Sequence, residues 1–152
     1  MKKIGLFPGS FDPFTKGHEA IIKKSIPLFD EIIIGIGINS TKKYMFDTDK
    51  RIVHIRALFN GQKTIRVKQF EKLTVRFCQD VGANFIIRGL RNSKDFEYEK
   101  SIAHMNFELS EIDTVFLLTE QKYAAISSSI VREIHANNGP IDRFVTNPNL
   151  LV

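Results

Sequence analysis

Tryptophan is missing from this 152-residue chain, and cysteine occurs once, at Cys78. A single thiol permits neither an internal disulfide nor a thiolate metal cage. Cys78 falls in Leu73-Thr74-Val75-Arg76-Phe77-Cys78, one face of a helical pattern, and is expected to be a core thiol. Long apolar runs are missing too. Nothing approaches the roughly 18 consecutive apolar residues of a membrane span, and Lys2-Lys3 leads into too few apolar residues for a signal peptide. The expectation is a cytoplasmic protein with no membrane partner. Neither a low-complexity stretch nor an interdomain linker is visible, so residues 1–152 are expected to form one domain around one core. Cations exceed anions only modestly, 22 against 17, without a run of five or more, and the 13 Phe sit mostly in apolar periodic segments. Nucleic acid is therefore disfavoured as a partner, and phosphate-rich metabolites suit the +5 charge better.

What is present is alternation. Strand-like runs at Lys3–Phe7, Glu31–Ile38, Thr64–Lys68, Asn84–Arg88 and Thr114–Leu118 are separated by helix-like segments at Gly17–Phe29, Thr48–Phe59, Leu73–Val81, Asp95–Leu109 and Ser128–Ala136. Parallel strands need crossover connections, so this order predicts an α/β fold: a five-stranded parallel sheet with helices on both faces. Asp47 or Thr48 can cap the second helix, and Gly82 and Gly139 suit helix ends. In such sheets ligands bind beyond the carboxyl ends of the strands. Four polar segments fall there: Gly9–His18, Asn39–Lys43, Arg88–Arg91 and Tyr123–Ser129.

Gly9-Ser10-Phe11-Asp12-Pro13-Phe14-Thr15-Lys16-Gly17-His18 joins the first strand to the first helix. His18 falls at the helix N-terminus, where free N–H groups favour an anion and an imidazole can donate to a phosphate oxygen. Arg88 and Arg91, flanking Gly89-Leu90, carry guanidinium forks that match phosphate oxygens. Taken alone they read equally well as solvated surface arginines. Ser127-Ser128-Ser129 can cap the last helix and leave its amides for an anion, although taken alone it reads as a generic cap. His54, His104 and His135 carry no catalytic pattern. No His/Asp/Glu spacing forms a metal cage, and no Ser–His–acid relay is visible.

The first segment resembles the Ser/Thr-Phe-Asp-Pro…His-x-Gly-His signature of the nucleotidylyltransferase superfamily, with Thr15 where the first histidine stands. That form, together with Arg88-Gly89-Leu90-Arg91, Asp95-Phe96-Glu97-Tyr98-Glu99 and Ala103-His104-Met105-Asn106, resembles the phosphopantetheine adenylyltransferase family. Ile126-Ser127-Ser128-Ser129-Ile130-Val131-Arg132 is similar to the superfamily's third signature.

The resemblance implies a single-domain Rossmann-like nucleotidylyltransferase fold and transfer of an adenylyl group from ATP to 4′-phosphopantetheine, giving dephospho-coenzyme A and pyrophosphate. It implies His18, Ser10, Lys42 and Arg91 as catalytic. ATP would be held by Ser10, Phe11, His18, Gly89, Leu90, Arg91, Glu99 and the segment Tyr123, Ala124, Ala125, Ile126, Ser127, Ser128, Ser129. Phosphopantetheine would be held by Ser10, Lys42, Thr74 and Arg88. Thr74 and Lys42 rest on the resemblance alone. Mg²⁺ would bind mainly through the ATP phosphates, coenzyme A would compete at the site, and the subunits would form a homohexamer. Two other readings stay open: a cytidylyl- or nicotinamide-mononucleotide adenylyltransferase, or a non-catalytic nucleotide- or nucleic-acid-binding module. The first would keep a histidine at Thr15; the second does not account for His18, Lys42, Arg88 and Arg91 together.

Overall fold

Ile32-Ile33-Ile34 is β-branched at every position and fully buried, which suits a strand covered on both faces. It forms the middle of β2 (Glu31–Gly37) in a computed structural model that describes residues 1–152. The remaining elements are β1 (Ile4–Gly9), α1 (Lys16–Ser25), α2 (Thr48–Leu58), β3 (Ile65–Phe70), α3 (Thr74–Val81), β4 (Phe85–Leu90), α4 (Ser93–Ser110), β5 (Asp113–Leu118) and α5 (Ser128–Ala136). The five strands make one parallel sheet in the order β3-β2-β1-β4-β5, with Leu6 paired to Ile33 on one side and Ile86 on the other.

The sheet is covered on both faces. One core joins Phe7, Ile32 and Ile34 to Ile21 and Ile22 of α1 and to Ile55 of α2, and a second joins Leu6, Ile33 and Ile86 to Phe77 and Cys78 of α3. A smaller cluster of Phe46, Val131, Ile141, Val145 and Leu151 ties the C-terminal segment to α5. The chain winds outward from β1 through β2 to β3, then returns to start β4 on the other side of β1. The carboxyl ends of β1 and β4 are thus the switch point, where open α/β sheets form their ligand crevice.

The elements match expectation in kind and order, and most ends agree within two residues. α1 stops at Ser25, short of Phe29, where the Ser25 hydroxyl donates back to the Ile21 carbonyl (2.8 Å) and Pro27 cannot extend the ladder. β4 continues to Leu90, two residues past the expected end at Arg88, so Gly89 and Leu90 belong to the sheet rather than to a loop. Asp47 occupies the cap position of α2 without a side-chain cap bond, and the Thr48 hydroxyl accepts from Arg51 instead. Gly82 ends α3 in the left-handed conformation (φ 71°). Beyond α5 that conformation falls to Asn138 (φ 61°), while the Gly139 N–H closes on the Ile134 carbonyl (2.8 Å).

Candidate active site

Thr15 caps α1: its hydroxyl accepts from the His18 N–H (3.4 Å), and its own N–H donates to His18 Nδ1 (2.9 Å). That reciprocal capping box fixes the imidazole. Because Nδ1 accepts, the neutral ring carries its proton on Nε2. Phe7, Phe11 and Phe14 surround the ring, with centroids 6.1, 5.1 and 5.2 Å away. Burial, then the charges of Arg88 and Arg91, lower the pKa from 6.5 to about 3. His18 is therefore a neutral donor at any working pH.

His18 lines a cleft of about 380 Å³ with Ser10, Arg88, Arg91, Ser127–Ser129 and Arg132, at the carboxyl ends of β1 and β4. Ser127 caps α5 by accepting from the Ile130 N–H (3.2 Å), so the amides of that helix start also face the cleft region. A second cleft of about 310 Å³ is lined by Phe70, Thr74, Ile86, Ile102, Ala103 and Asn106, among others. The two share a wall of Pro8, Gly9, Ser10, Arg88 and Glu99. Thr114 Oγ1, on a residue of the second cleft, is buried without a protein partner.

The arginines are held rather than free. Arg88 Nε donates to Glu99 Oε2 (2.9 Å), Nη2 donates to Glu99 Oε1, and Nη1 donates to the Pro8 carbonyl (2.7 Å). Three of a guanidinium's five N–H groups are thus committed, and the others remain for a ligand. Glu99 turns both oxygens to Arg88 and so orients the guanidinium. Arg91 is hydrogen-bonded to Asp95 through its backbone N (3.0 Å) and Nε (3.1 Å). Burial works to raise the Asp95 pKa, but the hydrogen bonds and charge of Arg91, with Arg88 behind, hold it below the usual carboxylate value.

Of the residues expected from sequence, His18, Phe11, Gly89, Arg91 and Ile126–Ser129 line the first cleft, Thr74 the second, and Ser10, Arg88 and Glu99 both. Leu90 is packed in the core instead, because the strand reaches that far and turns its side chain inward. Tyr123, Ala124 and Ala125 stand outside the walls, next to or within the short 3-10 turn Gln121–Tyr123. Lys42 lies on an exposed turn and lines neither cleft, its ammonium 5.5 Å from the Tyr44 ring centre. No group of three or more His, Cys, Asp or Glu side chains is placed to hold a metal. His54 is buried with its Nε2 at the Thr146 carbonyl (2.7 Å), His135 faces the Phe46 ring and His104 is exposed.

Two residues carry more than their sequence pattern suggests. Asp12 is buried and accepts from the N–H groups of Met45 (2.8 Å) and Phe46 (2.9 Å). Arg51 is completely buried on α2, where an arginine in a helical pattern ordinarily reads as solvated. Its spacing of four from Ile55, inside the apolar stripe, is the one signal that could have exposed it.

The cytidylyltransferase-like family model matches residues 6–134. The chain is 55% identical over 134 residues to the phosphopantetheine adenylyltransferase of Flavobacterium psychrophilum, covering 88% of this chain and 89% of that one. It is 49% identical over 146 residues to the same-named protein of Cytophaga hutchinsonii, covering 95% and 97%. Among solved structures, the nicotinic acid mononucleotide adenylyltransferase of Plasmodium falciparum superimposes with a TM-score of 0.70 at 15% identity, covering 99% of this chain and 93% of that one; at that identity the likeness is one of fold. The identities and coverage agree with the signatures and with the Rossmann-like sheet, and the chain belongs to the phosphopantetheine adenylyltransferase family.

Proposed function

We propose that the enzyme transfers the adenylyl group of ATP to 4′-phosphopantetheine, releasing pyrophosphate and dephospho-coenzyme A. The observation that carries this reading is the shared wall between the clefts: a polar one at two helix starts and a second with apolar lining meet at Ser10 and Arg88. Two substrates bound there touch at one place. ATP suits the first cleft, with its phosphates toward the α5 start, Ser127–Ser129 and Arg91. The pantetheine arm suits the second, along Phe70, Thr74 and Ile102.

The acceptor phosphate oxygen is already anionic, so it needs no general base. It attacks the α-phosphorus, the α–β phosphoanhydride bond breaks, and pyrophosphate leaves with the bonding electrons. Catalysis is then positioning plus stabilisation of developing charge. His18 Nε2–H donates to the α-phosphate, Ser10 orients both substrates at the shared wall, and Arg88 with Lys42 holds the acceptor phosphate. The part given to Lys42 rests on the family resemblance, since the turn after β2 that carries it lines neither cleft.

Mg²⁺ fits as a phosphate-held ion. The carboxylates nearest the first cleft, Asp95 and Glu99, are turned to arginines, which leaves coordination to phosphate oxygens and water. When bound, it neutralises phosphate charge.

We read residues 1–152 as a single cytoplasmic nucleotidylyltransferase domain; no helix is long and apolar enough to cross a membrane. Assembly, a hexamer by family resemblance, suits the outer face of α4, where Tyr98, Ile102, Met105 and Leu109 recur at helical spacing yet are 71%, 39%, 62% and 64% exposed. Competition by coenzyme A follows from its sharing the pantetheine arm and the adenylyl end with the two substrates.

Pyrophosphate release from ATP and Mg²⁺ tests the reading. 4′-phosphopantetheine should support it, while nicotinamide mononucleotide, or CTP with a phosphate alcohol, should not. Release with one of those and not with 4′-phosphopantetheine would assign the chain another substrate.

A further inference from the structure

Arg51 is the largest fully buried side chain of the molecule, and it touches neither cleft. Burying a guanidinium is costly unless its donors are satisfied, and a hydrophobic residue of similar volume would ordinarily serve packing as well. Here the donors are distributed over two loops. Nη1 donates to the Ser10 carbonyl in the β1–α1 loop, Nε donates to the Phe46 carbonyl in the β2–α2 loop (3.0 Å), and Nη2 donates to the Thr48 hydroxyl (3.0 Å). The Asp12 carboxylate ties the same loops in the opposite sense, accepting from Met45 and Phe46. The guanidinium also lies 4.3 Å from the centre of the Tyr44 ring, the ring that carries the Lys42 ammonium. The Tyr44 hydroxyl closes that loop by accepting from the Asn39 N–H (2.8 Å).

Resting on the function proposed above, we propose that Arg51 is the positioning residue that sets Ser10, on the shared wall, and the Lys42 turn at their working separation. It acts through Ser10 and Tyr44 without touching substrate. The loop that meets both substrates and the loop that carries the acceptor-phosphate lysine are thereby braced by one group.

The test combines kinetics with limited proteolysis on the full-length enzyme. Arg51→Lys keeps the charge but cannot donate to three separated acceptors. It should raise the KM for 4′-phosphopantetheine and lower kcat, together by about 10-fold or more, since small misplacements at a reacting centre cost up to about 100-fold. ATP affinity should fall clearly less than the acceptor's, because Ser10 meets both substrates while Arg91 and Ser127–Ser129 are untouched. Trypsin should cleave faster after Lys42 and Lys43. Against Tyr44→Phe, which loses only the hydroxyl's bonds to Asn39 and Gly37, Tyr44→Leu leaves the Arg51 hydrogen bonds in place and removes the ring link to the Lys42 turn as well. It should raise the acceptor KM and speed the same cleavage, and it decides the matter if Arg51→Lys does not fold. Wild-type kinetic constants and cleavage rates in a folded but less heat-stable Arg51→Lys would mean a merely structural arginine and overturn the proposal, as would an equal loss of ATP affinity. A wild-type enzyme inactive with 4′-phosphopantetheine would instead refute the substrate assignment, with the cleavage rates still reporting whether Arg51 braces the loops.

Discussion

At the residue scale the proposed chemistry turns on His18, a neutral donor whose tautomer is set by the Thr15 N–H. A donor that strengthens as charge develops acts on the transition state, so His18→Ala should lower kcat by roughly 10² or more while ATP affinity changes little. Steady-state kinetics beside calorimetric ATP titration checks this, and equal losses in both would remove the role. The pH dependence follows from the lowered pKa. Unfolded His18 binds a proton below about pH 6.5, whereas folded His18 does so only below about pH 3. The unfolded state thus holds more protons between those values. The contribution of a neutral His18 to stability is present above about pH 6.5 and is lost as pH falls toward 3. Thermal melts of wild type and His18→Gln should therefore converge on acidification, and kcat at saturating substrates should show no limb near 6.5 that His18→Gln abolishes. Arg88→Ala should chiefly weaken 4′-phosphopantetheine; if ATP loses most of its affinity instead, the two phosphate sites are exchanged. His18 could be placed from sequence because a motif between a strand and a helix puts a residue at a helix start. Arg51 could not, because sequence gives the residue type but not which loop carbonyls will converge on a helix's inner face.

Among the elements, α3 offers a test separate from chemistry. Gly82 ends it in the left-handed region with open space around its Cα, so Gly82→Ala meets no clash and incurs only backbone strain. It should cost about 1 kcal/mol, lowering Tm by several degrees with kcat and both KM values unchanged. A larger loss with altered KM would mean that α3 also shapes the Thr74 cleft. The β-rich runs and helix periods made every element legible, since parallel strands buried on both faces are nearly continuous apolar sequence. The ends were less legible. β4 extends past Arg88 through Gly89 and Leu90 because pairing with Leu117 and Leu118 of β5 outweighs the polar look of the Arg88–Arg91 stretch. α1 stops early at a serine back-bond and a proline whose effect on a helix depends on packing.

For the whole molecule, two surfaces matter: the outer face of α4 and the crevice at the switch point. The apolar stripe of α4 predicts self-association, up to the six copies of a 17.4 kDa chain that the family resemblance suggests. Met105→Lys with Leu109→Glu should shift sedimentation toward the monomer; an unchanged assembly would place the interface elsewhere. The crevice was legible because four polar segments fall at the carboxyl ends of strands, and three of them converge there. The turn bearing Lys42 is exposed and lines neither cleft. In the proposed reaction two substrates meeting at the Ser10–Arg88 wall react directly, with no protein nucleophile. Ser10, His18 and Ser127–Ser129 are the groups that could be adenylylated instead, yet His18 Nδ1 and the Ser127 hydroxyl are engaged in caps. The most direct measurement is the stereochemical course at the α-phosphorus, followed with a chirally labelled α-thiophosphate analogue of ATP. Inversion is the predicted result, whereas net retention would contradict direct transfer and require a covalent adenylyl-enzyme.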